Sequence, residues 1–271
     1  AFADGVVLEG LVVEGSGSVG VIAQDGADVT VRRSLVSGNR AVGLGVSGST
    51  ATLEEVVVRD TLAWDDGLGG WGISILDDDD TGAVSNVTVR RSLVSGNREV
   101  GLLVAGATAT LEEVVVRGTL ARDDGLGGWG IGIQDDDDTG AVSDVTIRRS
   151  LVAGNREVGI FVAGSTATLE EVVVRGTLAR ADGLFGRGIG IEDDADTGAV
   201  SDVTVRRSLV AGNREVGILV RGSTATLEEV VVRDTLARAD GHLGRGIGIL
   251  DDADTGAVSD VTIRRSLVAG N

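Results

Sequence analysis

Residues Val145–Asn155 read VTIRRSLVAGN, and this stretch decides how the chain folds. Its apolar residues recur at spacing two in short runs, broken by the Arg148-Arg149 pair and closed by a Gly-Asn turn. That period belongs to strands rather than helices. The same string, with Val or Ile at its third position and Ser or Ala at its ninth, stands at Val29–Asn39, Val87–Asn97, Val203–Asn213 and Val261–Asn271, so that the five copies follow one another at 58 residues. Between 88–145 and 146–203 only 10 of 58 positions differ, a likeness left by recent duplication or deliberate construction.

Each unit holds a second, diverged copy of itself. TIRRSLVAGN from Thr146 aligns with TLEEVVVRGT from Thr168, so a 22-residue coil is followed by a 36-residue coil. The chain therefore reads as one domain over 1–271, with repeats at 30–87, 88–145, 146–203 and 204–261 and partial coils at 1–29 and 262–271. Three short strands per coil fit a narrow solenoid whose turns stack about 4.8 Å apart. The predicted fold is all-β, a single-stranded parallel β-helix of about ten coils. Two aliphatic columns would fill its core: Leu8, Val31, Leu53, Val89, Leu111 and their successors, and Val13, Val36, Val58, Val94, Val116 and theirs.

The composition agrees. Aromatics make up 2% of 271 residues, too few for the irregular core of an ordinary enzyme of this length. The absence of Cys excludes disulfides and thiolate metal sites, and a single His excludes a His-rich zinc site. A net charge of -18 disfavours nucleic acid and anionic lipid as partners. No apolar run reaches the roughly 18 residues of a membrane helix, so membrane insertion is not expected.

The VTIRRSLVAGN string with its following Gly-Ile strand resembles the right-handed parallel β-helix repeats of secreted bacterial proteins and the pectate-lyase-like superfamily. The resemblance covers nearly the whole chain and implies a right-handed coil and an extracellular or cell-surface bacterial setting. Lyases of that superfamily use Asp-held Ca²⁺ with a basic residue beside a groove; its galacturonan hydrolases need paired carboxylates and a Gly-His-Gly segment. His242 sits in Gly-His-Leu, where Leu68, Leu126 and Leu184 stand in the other units, so the hydrolase pattern fails.

Outward charges alternate in sign from coil to coil. Arg32-Arg33, Glu54-Glu55, Arg90-Arg91, Glu112-Glu113, Arg148-Arg149 and the pairs that follow would place each Arg between carboxylates. Asn39, Asn97, Asn155 and Asn213 alternate with Thr61, Thr119, Thr177 and Thr235, polar residues suited to satisfying backbone groups at a turn.

The long coil carries an insertion of seven residues on each side of its Gly-Ile-x-Ile strand, a pattern that predicts a trough along the rod. Gly20, Gly43, Gly72, Gly101, Gly130 and their equivalents are read as an outward, bare column of its floor. Beside them run Leu103, Phe161 and Leu219, with Trp71, Trp129, Arg187 and Arg245 at the edge, as candidate groove residues. Two occupants are open: the chain's own loops, or a polysaccharide or second copy of the chain. The walls are acidic, above all at Asp77, Asp78, Asp79 and Asp80; Asp135, Asp136, Asp137 and Asp138; Asp193, Asp194 and Asp196; and Asp251, Asp252 and Asp254. Clustered carboxylates make Ca²⁺ the natural candidate ion, with solvated turn acids as the plain alternative. Trp71 and Trp129 become Arg187 and Arg245 while Asp123 and Asp137 become Ala181 and Ala195, which predicts that these three positions are neighbours.

A near-identical repeat offers the same surroundings several times over, whereas catalysis needs one unique constellation. The expected function is thus a non-enzymatic structural or adhesive rod, and the alternative is a Ca²⁺-dependent polysaccharide lyase or related carbohydrate-active enzyme. Ala1–Asp4 resemble the tail of a preceding coil, and AFADG carries no basic-plus-apolar leader. End-to-end stacking of copies would bring Arg264 near Glu9 and continue the charge alternation.

Overall fold

The computed structural model describes residues 5–271; the reading of Ala1–Asp4 lies outside the described residues. Every regular element among them is a strand, because β-branched residues alternating with small turn residues leave no helical face to bury. The strands form three parallel sheets of ten, ten and nine members. Each complete coil contributes one strand to each sheet, and the last supplies two; Asp144–Arg148, Leu151–Ala153 and Val158–Ala163 make one complete coil.

Register follows the repeat. In the first sheet Ile147 lies between Leu111 and Leu169, and in the second Val152 lies between Val116 and Val174. The third sheet adds Ile131, Ile160 and Ile189 in one column and Ile133, Val162 and Ile191 in another. Leu111, Ile131, Ile147 and Ile160 are fully buried, and each such side chain stabilises the fold by about 1.5–3 kcal/mol. Like stacks on like all along the rod, so aliphatic columns suffice for a core with few aromatics.

Polar ladders close the corners. Asn97 accepts from the backbone N–H and hydroxyl of Thr61 through Oδ1 at 3.0 and 2.8 Å, and its Nδ2 donates to the Val58 carbonyl. Asn155 repeats this with Thr119 and Val116. Ser92, Ser150 and Ser208 each accept the N–H of a Val in the preceding coil, Val56, Val114 and Val172.

The charge ladder is real, with a finer division of labour. Arg90 pairs forward with Glu112 at 3.3 Å, whereas Arg91 pairs backward with Glu54 and Glu55. Arg148 and Arg149 repeat the pattern. The second member of each pair stands at a positive φ, 46° for Arg91 and 55° for Glu113, where the chain turns from the first sheet into the second. An exposed pair of this kind is worth about 0–1 kcal/mol, but the network penalises any slip of one coil. At the start of the described chain Glu9 is already held by Arg32 and Arg33.

Candidate functional site

The long loops fold over the intervening short coil and meet one another. In the second loop Asp136 Oδ1 accepts the N–H groups of Asp138 and Thr139 and holds a tight turn. Thr139 Oγ1 then donates to Asp77 Oδ2 of the preceding long loop at 2.6 Å, a contact 62 residues apart in sequence. Thr197 to Asp135 and Thr255 to Asp193 repeat this bridge. The first loop is tied down just as closely: Gly69, Gly127 and Phe185 donate their N–H to Glu99, Glu157 and Glu215.

The expected trough floor is filled. The side chain missing at Gly101 would point into the molecule, 2.6 Å from Val116 Cγ1 and from the Gly130 carbonyl oxygen. The glycine column is thus an inward corner that leaves room for the Val and the Asn or Thr of the next coil, not a bare outer track. The neighbouring column does face away from the core, with Leu103, Gly132 and Phe161 in register. Leu103, Leu219 and Ser74 are nevertheless buried. Trp129 lies over Gly132, with its ring centre 4.9 Å from that of Phe161. Beside this cluster a cavity of about 270 Å³ is lined by Glu99, Arg122, Leu126, Trp129, Glu157 and Arg180. Burial holds the Glu157 carboxyl above its usual range.

Among the substituted positions, Arg187 and Asp123 each have partners of their own. Arg187 pairs with Glu192 at 2.8 Å and Glu215 at 3.4 Å, and stacks its guanidinium 4.7 Å from the Phe185 ring. It answers the acid introduced at Glu192, where Leu76, Gln134 and Leu250 stand in the other units. Asp123, whose place Ala181 takes, pairs instead with Arg98 at 2.8 Å. Arg245 has no carboxylate partner among the described residues.

The acids of the two loops part company. Each first loop has an acid in an ion pair: Asp65 with Arg40, Asp124 with Arg122, Asp182 with Arg180 and Asp240 with Arg238. Those of the second loop gather among themselves. Asp77 and Asp79 approach Asp136, and Asp135 and Asp137 approach Asp194, with one oxygen from each residue within 4.8 Å of the others. Burial, then like charge, holds Asp77, Asp79, Asp135 and Asp137 above the usual carboxylate range. Asp78 and Asp252 are held below it, the first by the Thr81 hydroxyl and N–H, the second by the N–H groups of Asp254 and Thr255 with Arg221 adding to them. Asp80, Asp138, Asp196 and Asp254 stand exposed, as does Asp251, which accepts the Ser259 N–H.

A surface that the sequence reading passed over lies on the second sheet. Leu93, Val115, Leu151 and Val173 face outward, only half covered, and form the floor of a shallow groove. One stretch of about 600 Å³ is bounded by Ser95, Gly96, Arg117, Gly118, Ala153 and Arg175. An equivalent stretch lies further along, bounded by Ala153, Arg175, Ala211 and Arg233. Arg117 and Arg175 have no carboxylate partner among the described residues, whereas Arg59 and Arg233 are next to Asp60 and Asp234. The signal was present: two consecutive apolar residues in a three-residue strand force one of them outward.

Comparison with known proteins agrees with this architecture. A family model described as the right handed beta helix region matches residues 2–120. The chain folds as a right-handed parallel β-helix. Among solved structures this β-helix is similar to pectate lyase Pel9A, with a TM-score of 0.51 at 11% identity, over 94% of this chain and 69% of that one. It is also similar to the A-module of the mannuronan C-5 epimerase AlgE6 of Azotobacter vinelandii, at 14% identity and TM-score 0.45, covering 99% and 84%. The Dettilon tailspike protein follows at 14% and 0.49, covering 99% of this chain and 54% of its own. No curated protein matches the β-helix in sequence. At such identities the likeness is one of fold alone, so activity has to be argued from the surface itself.

Proposed function

We propose that this β-helix is a non-catalytic structural and adhesive rod of a secreted or cell-surface protein, and that it binds an extended, acid-bearing polysaccharide along the second sheet. The observation that carries the reading is recurrence. The groove beside Arg117 and Arg175 returns beside Arg175 and Arg233 with the same apolar floor, as the repeat dictates. A polymer with a repeated unit can use such a surface several times, and weak contacts then add up to useful avidity. The two guanidiniums without carboxylate partners suit carboxylate-bearing sugars even on a protein of net charge -18, since what they offer is local and bidentate. The filled floor beneath Trp129 speaks against a polymer in the expected trough, and the buried Glu157 recurs as Glu99 and Glu215 rather than standing as a unique catalytic group.

Co-sedimentation with a panel of neutral and acidic polysaccharides tests this. Binding to acidic members is expected, weakened roughly tenfold or more when Arg117 and Arg175 are both replaced by Ser. Binding to none of them, or release of unsaturated products or new reducing ends from any, would overturn the reading.

A further inference from the structure

The third acidic step of the rod differs from the first two in a way that points to a ligand. At each step the first and third Asp of one second loop face the second Asp of the next. Asp77, Asp79 and Asp136 make the first step, and Asp135, Asp137 and Asp194 the second. At the third step the corresponding residues are Asp193, Ala195 and Asp252. There Arg221 reaches Asp252 at 3.1 Å and also pairs with Glu192. The residues in register with Arg221 at the earlier steps are Ala105 and Ala163, which bring no charge. Where an acid is lost, a cation built into the chain has arrived at the same place.

The first two steps thus hold three carboxylates each and, among the described residues, no basic side chain in ion-pair reach of any of them. Asp77 and Asp135 are 2% and 5% exposed, and one oxygen of each is buried and accepts no hydrogen bond from the protein. Asp193 keeps the same unpaired oxygen at the third step, so burial alone does not separate the steps; the balance of charge does. The Thr139 hydroxyl lies between Asp77 and Asp136, and the second Asp of each loop is occupied by its turn, whereas the exposed Asp79 and Asp137 accept no hydrogen bond among the described residues that would draw them to the other two carboxylates. Two oxygens bound to one Ca²⁺ at about 2.3–2.6 Å lie at most roughly 5 Å apart and three evenly spread ones at most roughly 4.5 Å, so trios that already gather within 4.8 Å need only a small inward shift to share an ion. Three carboxylate oxygens leave space for water in the flexible shell of six to eight that Ca²⁺ accepts, while Mg²⁺ demands a stricter octahedron.

We propose that the β-helix binds two divalent cations of the Ca²⁺ type, one at Asp77, Asp79 and Asp136 and one at Asp135, Asp137 and Asp194, and that Arg221 serves as a covalent counter-ion in their place at the third step. The ions clamp successive long loops to each other across the short coil between them.

The test is calorimetric titration of the whole chain with CaCl₂ after chelation, with thermal melting in parallel. Two sites per chain are expected. Asp79→Ala leaves one, and Asp79→Ala with Asp137→Ala leaves none, while both variants melt as the parent does in chelator because neither side chain holds the turn. The converse variant, Ala195→Asp with Arg221→Ala, recreates the earlier steps and raises the count to three. It keeps Arg187 on Glu192, so that the acid is not orphaned. Absence of binding at millimolar Ca²⁺, or binding that the double Ala variant leaves unchanged, would overturn the proposal, as would a folded converse variant that still binds two.

Discussion

The second loops at 77–85 and 135–143 hang from the same strands, with the same turn and the same Thr bridge, as those at 193–201 and 251–259. Their side chains nevertheless balance charge in opposite ways. The N-terminal pair carries four consecutive acids per loop and a Trp, Trp71 or Trp129, at the start of the supporting strand. The C-terminal pair gives up one acid per loop, places Arg187 or Arg245 where the Trp stood, and in Arg221 adds a second cation. The backbone of a coil and the charge of its loops are therefore separable properties. Coil geometry is set by the aliphatic columns and polar ladders, whereas loop cohesion is a local electrostatic problem with more than one solution.

If the backbone is common to both halves, equivalent cuts in the core should cost the same in each. Leu111→Ala and Leu227→Ala, at one column of the first sheet, are each expected to destabilise by about 2–5 kcal/mol, measured by denaturant unfolding. A gap between them larger than the error of the measurement would show that the halves differ in their cores as well. Arg221→Ala should act on one half only. It removes a partner from the buried Asp252 and Glu192, and because Arg221 is 42% exposed the expected cost is only about 1–2 kcal/mol. Hydrogen exchange should quicken at 193–201 and 251–259 and stay unchanged at 77–85 and 135–143; uniform loosening would break the comparison.

The smallest effect is expected at Glu157, between Trp129 and Arg180. Burial raises its pKa in the fold, so the neutral carboxyl is favoured; that advantage is present in acid and is lost as pH rises through the raised value. Glu157→Gln, which stays neutral and can still accept the Gly127 N–H, should therefore gain slightly on the parent chain as pH rises from the carboxylate range to neutrality. A difference in melting temperature that does not change with pH would sink this account.

Register and ladders were legible in the sequence because each rests on residues that recur at fixed spacing: Arg90 against Glu112, Asn97 against Thr61, Leu111 against Ile147. Alternation of inward and outward residues failed at the glycine corner. Gly72 and Gly101 drop out of the strand register and turn inward, so a strict period of two assigns them to the wrong side. The loops were recognised as insertions, yet their closure depends on the Thr139–Asp77 contact, whose 62-residue separation is not one coil of either length. The value of Ala195 and Arg221 was likewise hidden, because two substitutions 26 residues apart look like unrelated drift until the fold puts both beside Asp252.

The Thr bridge between long loops also imposes a parity on the rod. A long loop reaches past exactly one short turn to find its partner, and the charge ladder repeats at the same two-coil interval. Removing or adding a single coil would leave an Asp facing no Thr and set Arg against Arg. Length can therefore change only by an even number of coils, in steps of roughly 10 Å. Such a molecule is a ruler with one graduation: it can be cut or extended at every second turn and nowhere between.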